Sequence, residues 1–263
     1  MRHLIFALSC LALGAGPPQS SAAGLSAWLF PATGGGGDTS RVQLGPARGG
    51  TAAYVVWPAS TGPAPAVIVV HEWWGLNGQI RSVARRLAQE GYVAIVPDLY
   101  RGRVADEAED AHELSRGLDE KKAVGDLQAA AAWLRSQRSV NRARIGALGF
   151  CMGGRLSELF ALRDPGLAAV VMFYGQPETD VAQIATLRAP LQAHFGEEDR
   201  GIGADQVQAL QAALAKAGKV ADIHVYSGAG HAFMHEGRPS YHADAAKLAW
   251  ARTLQFFQKH LKG

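Results

Sequence analysis

The stretch Gly149-Phe150-Cys151-Met152-Gly153-Gly154 constrains the fold of this chain more than any other feature. It follows a β-like run, Arg144 to Leu148, and it places a cysteine between glycines. Small residues permit the sharp strand-to-helix turn known as a nucleophile elbow, in which the nucleophile stands on a strained bend at the top of a sheet. The alternative is a buried, unreactive cysteine, since free cysteine is among the most buried residue types. The pattern favours a catalytic Cys151 followed by a helix that begins near Met152.

Candidate partners for the cysteine follow it in the chain. An apolar run ends at Gly196 and leads into Glu197-Glu198-Asp199, and a second run ends at Tyr226 and leads into a glycine-rich segment that contains His231. Loops that follow strands are where open α/β sheets place their active sites. A solvated acidic cluster and an ordinary turn histidine are the alternatives. The order nucleophile, acid, histidine is that of an α/β-hydrolase and argues against both.

A further buried-strand pattern, Ala66 to His71, runs directly into Glu72-Trp73-Trp74-Gly75-Leu76. In this architecture the loop after that strand donates one backbone amide to an oxyanion hole, and the residue after the nucleophile, Met152, donates the other.

These segments, together with Pro97-Asp98-Leu99-Tyr100, resemble the dienelactone hydrolase (carboxymethylenebutenolidase) family over residues 51 to 260. The resemblance implies a Cys-Asp-His triad formed by Cys151, Asp199 and His231. It also implies a glutamate, Glu72, that interacts with the resting thiol, and oxyanion amides from Trp73 and Met152.

The resemblance is weakest where that family holds a substrate carboxylate with arginines. Arg101 and Arg103 flank the first such position, and His235 stands at the second, with Arg238 nearby. A histidine there predicts weaker discrimination for anionic substrates, because histidine lacks the forked donors and fixed charge of arginine. The expected aromatic walls of the pocket are Trp73, Trp74, Tyr100 and Phe233.

The alternation of strand and helix patterns predicts an α/β-hydrolase fold, with a mostly parallel sheet, helices on both faces and no large cap domain. An opening hairpin is expected over residues 42–44 and 52–57. Helices are expected over residues 79–90, 205–217 and 241–261, with one or two more between 104 and 137. The helix expected over residues 241–261 has a predicted apolar stripe through Ala245, Leu248, Ala249, Leu254 and Phe257.

The first residues differ from the rest of the chain. A positive start, an apolar run from Leu4 to Leu13 and small residues up to Ala23 predict a secretory signal peptide over residues 1–23, and hence a secreted or periplasmic protein. The apolar run is short for a membrane span. Lipidation of Cys10 is a poorly spaced alternative. Residues 24–40 have the composition of a flexible linker, and residues 41–263 form the predicted domain.

Composition narrows the partners. The 263 residues carry a formal net charge of +3 with no basic block, so nucleic acid is not an expected partner. A small ester or lactone is the expected substrate, no cofactor is expected, and the oligomeric state is open. Three alternatives stay open. They are a metal site from His231, His235 and His242, which lacks a recognisable zinc spacing; a secreted thiol redox sensor; and a non-catalytic binding protein on the same fold.

Overall fold

The computed structural model describes residues 38–46 and 49–263. Eight strands are found there: β1 (Thr39–Leu44), β2 (Thr51–Val56), β3 (Ala64–Val70), β4 (Val93–Pro97), β5 (Val140–Phe150), β6 (Ala169–Phe173), β7 (Leu191–Gly196) and β8 (Ala221–Tyr226). They form one sheet in the order β1-β2-β4-β3-β5-β6-β7-β8. β2 runs antiparallel to both of its neighbours, β1 and β4. The other pairs are parallel.

The helices are α1 (Gly78–Gln89), α2 (Ala108–Arg116), α3 (Glu120–Ser136), α4 (Met152–Ala161), α5 (Val181–Ile184), α6 (Ala204–Lys216) and α7 (Ala243–Phe257), followed by a π-helical turn (Gln258–Lys262). The predicted α/β-hydrolase architecture is confirmed, and the described residues contain no large cap.

Both faces of the sheet are covered, as a parallel sheet requires. On β3, Ala66, Ile68 and Val70 pack into a core shared with α3, α4 and α6. The intervening Val67 and Val69 are also fully buried. On β5, a Cβ at Gly146 would meet the ring of Phe257, so α7 covers the second face close to the strand. These two cores hold the strand ends, and the loops that follow them, in fixed relative positions.

Two expectations for the helices are refined. The region between residues 104 and 137 holds two helices, because Asp119 caps α3 by accepting hydrogen bonds from the backbone N–H groups of Lys121 and Lys122. The predicted apolar stripe on α7 is wrong at Leu248, which is 46% exposed. The buried face instead includes Trp250, Thr253 and Phe256, because Thr253 contacts His194 of β7 and the ring of Phe257 faces Gly146 of β5.

The predicted signal peptide, residues 1–23, and most of the predicted linker lie outside the described residues. The linker was expected to reach residue 40, but β1 already begins at Thr39, because the strand pairs with β2 from Thr39 to Leu44. Within residues 38–46 and 49–263, no helix combines the length and the apolar character that crossing a membrane requires.

Candidate active site

The turn after β5 has the geometry of a nucleophile elbow. Cys151 has a φ of 53° and a ψ of −120°, in a region that L-residues rarely adopt. The glycines around it permit close backbone contacts: a Cβ at Gly154 would lie 2.7 Å from the Phe173 carbonyl oxygen. A Cβ at Gly153 would collide with the carbonyl oxygens of Val70 and His71. The tight turn therefore holds Cys151 at the carboxyl edge of the sheet, and α4 begins at the next residue.

Three loops bring the predicted triad residues together at the carboxyl edge of the sheet. Nε2 of His231 lies 3.2 Å from Sγ of Cys151, and Nδ1 of His231 lies 2.7 Å from Oδ2 of Asp199. The other carboxylate oxygen of Asp199 accepts hydrogen bonds from the backbone N–H groups of Gly201 and Ile202. Asp199 is therefore held as an acceptor, and it fixes the imidazole so that Nε2 faces the thiol.

The electrostatics of this chain favour a charged imidazole. Burial lowers the pKa of His231, but the hydrogen bonds to Asp199 and Cys151 outweigh it and raise that pKa from 6.5 to about 10. Burial likewise raises the pKa of Asp199, yet the bonds from His231 and from the two backbone amides hold it below its usual value. The site can accept the thiol proton on His231 while Asp199 stays ionised.

The backbone N–H groups of Trp73 and Met152 are candidate donors to an oxyanion. Met152 is the first residue of α4, so its N–H has no partner within the helix. Neither this N–H nor that of Trp73 makes a hydrogen bond within the part of the chain that the structure describes. Met152 follows Cys151 in the chain, and Trp73 lines a cleft that Cys151 also lines. An oxyanion formed at a substrate carbonyl could occupy the position that these two donors leave open.

Glu72 does not make the contact with the thiol that the family resemblance implies. Its Oε1 accepts a hydrogen bond of 3.1 Å from the hydroxyl of Tyr174, and its Oε2 lies 2.8 Å from Nδ1 of His235. The second contact is at ion-pair distance, and neither of its two atoms has a hydrogen-bond partner among the described residues. No hydrogen bond joins Glu72 to Cys151 among the described residues. The thiol has His231 as its partner instead, because the carboxylate is held by Tyr174 and His235.

A cleft of about 490 Å³ opens over the sulfur. Its walls are mostly apolar, with the guanidinium of Arg238 3.8 Å from the ring centroid of Trp74. Trp73 packs edge-on against the Trp74 ring. The residues that line the cleft are Glu72, Trp73, Trp74, Cys151, His231, Ala232, His235, Arg238, Pro239 and Ser240. Such a cleft suits a small substrate with an apolar or planar body.

Four residues expected in the substrate pocket lie elsewhere. Arg101 forms a bidentate ion pair with Asp126 of α3, and Arg103 pairs with Glu113 of α2. Phe233 is fully buried against the rings of Phe173, Tyr174 and Tyr226. Tyr100 is nearly buried, and its hydroxyl contacts Sδ of Met152 at 3.3 Å, behind the cleft wall. The two arginines point away from the cleft because they pair with carboxylates on α2 and α3. The two aromatic rings are buried because they pack against other side chains of the interior.

The three histidines considered for a metal site serve different contacts. His231 bonds to Asp199 and Cys151, His235 faces Glu72, and His242 caps α7 by accepting a hydrogen bond from the Ala245 N–H. No group of three or more potential metal ligands occurs in residues 38–46 and 49–263.

Comparisons with known proteins identify the family of this chain. Residues 51–261 match the sequence model of the dienelactone hydrolase family. A candidate carboxymethylenebutenolidase of Escherichia coli is 39% identical over 215 residues, which are 76% of this chain and 79% of the relative. One from Methylorubrum extorquens is 35% identical over 222 residues, covering 79% and 76% of the two chains.

Solved structures give the same result. The crystal structure of a candidate dienelactone hydrolase from Klebsiella pneumoniae superposes with a TM-score of 0.76 at 34% identity, covering 84% of this chain and 99% of that one. A dienelactone hydrolase-like promiscuous phosphotriesterase from metagenomic libraries reaches a TM-score of 0.79 at 23% identity, covering 86% and 99%, and supports the fold alone.

Proposed function

The chain belongs to the dienelactone hydrolase family, and we propose that it hydrolyses a carboxylic ester or lactone through a thioester on Cys151. The observation that carries this proposal is the continuous contact from Cys151 through His231 to Asp199, with distances of 3.2 and 2.7 Å. Those distances lie within the reach that proton transfer needs. Two unpaired backbone amides beside the sulfur supply the second requirement of acyl transfer.

The reaction divides into two acyl transfers. The thiolate of Cys151 attacks the substrate carbonyl carbon after its proton has passed to Nε2 of His231, and the amides of Trp73 and Met152 stabilise the oxyanion. Collapse of this intermediate breaks the carbon–oxygen ester bond, and His231 returns the proton to the leaving alkoxide. Water, deprotonated by His231, then attacks the thioester. A second collapse releases the carboxylic acid and leaves the thiol with its proton.

The cleft suggests the class of substrate. Its apolar walls and volume fit a small ester or lactone better than a polymer. We propose that neutral substrates are accepted as well as anionic ones, because the side chain of His235 faces Glu72 and Arg101 and Arg103 lie outside the cleft. Arg238 is the one guanidinium that lines the described cleft, so it would bind any substrate carboxylate.

The composition of residues 1–23 leads us to propose that the protein is exported and acts outside the cytoplasm. The redox-sensor alternative has less support. A disulfide-forming sensor needs a resolving thiol, and Cys151 is the only cysteine among the described residues. A non-catalytic binding role would leave the contact between Cys151 and His231 without a purpose.

Hydrolysis of p-nitrophenyl acetate by Cys151→Ala tests the mechanism. We expect at least a hundredfold loss of kcat/KM in a protein that still folds, as judged by its circular dichroism spectrum, because a triad nucleophile and its base act as a unit. Cys10→Ala, which removes the other cysteine of the chain, is the matched control and should keep wild-type activity. Retention of more than a tenth of the activity by Cys151→Ala would remove Cys151 from the mechanism.

A further inference from the structure

His71, at the end of β3, is fully buried and has no part in the mechanism described above. Its Nδ1 lies 2.7 Å from the carbonyl oxygen of Glu72, and its Nε2 accepts a hydrogen bond of 3.2 Å from the backbone N–H of Leu99. An N–H group can only donate, so Nε2 must be unprotonated. The proton therefore resides on Nδ1, which donates to Glu72.

This tautomer is stable in its surroundings. Burial lowers the pKa of His71, although the hydrogen bond to the Glu72 carbonyl and the charges of Asp98 and Glu72 oppose that shift. The ring of Tyr100 packs against the imidazole with centroids 5.0 Å apart. A second proton on Nε2 would face the Leu99 N–H directly. The ring thus stays neutral, with one donor and one acceptor, and both are occupied.

The bond to Glu72 matters because of the peptide group to which that carbonyl belongs. In a trans peptide the C=O and the following N–H point in opposite directions. The carbonyl of Glu72 therefore sets the direction of the Trp73 N–H, one of the two proposed oxyanion donors. Two donors hold that carbonyl in place: Nδ1 of His71 at 2.7 Å and the backbone N–H of Gly75 at 3.1 Å.

We propose that His71 is a positioning residue that fixes the peptide between Glu72 and Trp73, so that the Trp73 N–H points at the developing oxyanion. The inference rests on the proposed acyl-transfer function. His71 is not an acid or a base, because both ring nitrogens are bound and the ring is buried. Without it, the Gly75 N–H alone holds the carbonyl, at the longer of the two distances, and the peptide can rotate.

The test uses the full chain with His71→Leu and His71→Asn. Leucine removes the donor, and we expect kcat for ester hydrolysis to fall ten- to a hundredfold with KM changed less than threefold. This fall in kcat is somewhat smaller than the one expected when a whole oxyanion donor is lost. Asparagine places its amide N–H where Nδ1 stands, so it should recover most of the rate. An aryl trifluoromethyl ketone, which forms an oxyanion adduct with the thiol, should bind His71→Leu more weakly by the same factor.

Alkylation of Cys151 by iodoacetamide provides the control, because it uses the thiolate but generates no oxyanion. We expect its rate to stay within twofold of wild type in both variants. Equal losses of alkylation and hydrolysis would overturn the proposal and indicate a disturbed triad. A wild-type rate in His71→Leu, or a His71→Asn as impaired as His71→Leu, would overturn it as well.

Two further provisions keep the result decisive. If His71→Leu does not fold, His71→Asn is compared with His71→Gln, whose longer side chain reaches the Nε2 position and not Glu72. A deficit in His71→Gln alone supports the proposal, and equal rates oppose it. If the wild-type protein hydrolyses no ester, the proposed function fails, but the affinity for the trifluoromethyl ketone still reports whether His71 orients the amide.

Discussion

At the scale of single residues, the proposed chemistry depends on the contact between Cys151 and His231. The imidazole makes hydrogen bonds on both sides: Nε2 lies 3.2 Å from the thiol sulfur of Cys151, and Nδ1 donates to Asp199 at 2.7 Å. These two contacts favour the charged imidazolium over the neutral ring, and the pKa of His231 rises to about 10. The proposed nucleophile therefore lies next to an imidazole that favours its charged form, and a cationic neighbour lowers the pKa of a thiol in general.

Removal of the sulfur tests this coupling. Because Cys151 contributes to the raised pKa of His231, we expect the imidazole of Cys151→Ala to titrate at lower pH than in wild type, as measured by NMR of the ring protons. The folded pKa of His231 lies above its ordinary 6.5, so its contribution to stability is complete below pH 6.5 and is lost as the pH rises to about 10. The thermal midpoint should fall less over that range in Cys151→Ala. Coincident titration curves would contradict the coupling.

Sequence predicted some of these residues better than others. Cys151, Asp199 and His231 could be identified because glycine-rich turns after strands converge on one edge of a parallel sheet. The contacts of Tyr174 and His71 could not be identified, because they depend on backbone directions that composition does not reveal. Tyr174 has a φ of 37°, a strained value for an aromatic residue, and this conformation accompanies the contact of its hydroxyl with Glu72.

At the scale of elements, the junction of β5 and α4 is the least tolerant part of the fold. Gly153 faces the carbonyl oxygens of Val70 and His71, so the amino end of α4 lies directly against the end of β3. This approach places the Met152 amide beside the loop that carries the Trp73 amide. One backbone contact, which is possible because Gly153 has no side chain, therefore brings the two proposed oxyanion donors close together.

Gly153→Ala should separate helix propensity from this contact. Alanine favours a helix, yet its Cβ would collide with two backbone oxygens, so we expect a loss of about 2–4 kcal/mol in unfolding free energy and a large loss of activity. Gly125→Ala in α3 is the matched control. A Cβ there meets nothing within 4 Å, and alanine should stabilise by about 0.5–1 kcal/mol. Urea unfolding measures both; a stabilised, active Gly153→Ala would refute the argument.

The elements themselves were largely predictable, since continuous apolar runs mark strands buried on both faces. The errors have local causes. The orientation of α7 depends on the contacts of Thr253 and Phe257 with the sheet, so the predicted stripe wrongly included Leu248. The directions of Arg101 and Arg103 depend on Asp126 and Glu113, which lie on helices distant in sequence. Side chains in loops after strands can turn inward or outward, and only tertiary contacts decide.

At the scale of the whole molecule, buried ionisable groups outside the site set the response of stability to pH. His194 of β7 is fully buried, and Tyr226, Gln192 and Thr253 surround its ring nitrogens. Burial holds the pKa of His194 well below 6.5. Glu158 of α4 is also fully buried, and burial raises its pKa from 4.5 to about 8, although the Glu178 N–H donates to it. The two groups act in opposite directions.

The signs follow from linkage. His194 has a depressed folded pKa, so its contribution is present above pH 6.5 and is lost as the pH falls. Glu158 has a raised folded pKa, so its contribution is complete below pH 4.5 and is lost as the pH rises through about 8. Between pH 5 and 6 the unfolded chain protonates the histidine and ionises the glutamate, while the folded protein does neither. His71, with its lowered pKa, adds to the effect of His194.

We therefore expect variants of the two residues to change the slope of stability against pH in opposite senses. Over pH 5 to 6, each proton contributes up to about 1.4 kcal/mol per pH unit. His194→Gln should remove the loss of stability at acidic pH, so its unfolding free energy should rise less with pH. In Glu158→Gln the unfolding free energy should rise more steeply with pH. Val220→Gln changes an exposed side chain that carries no titratable group and should leave the slope unchanged. Urea unfolding at pH 5.0, 5.5 and 6.0 measures the slopes. A His194→Gln slope equal to wild type would mean that His194 takes up its proton in the folded protein, contrary to its burial among Phe173, His224 and Tyr226.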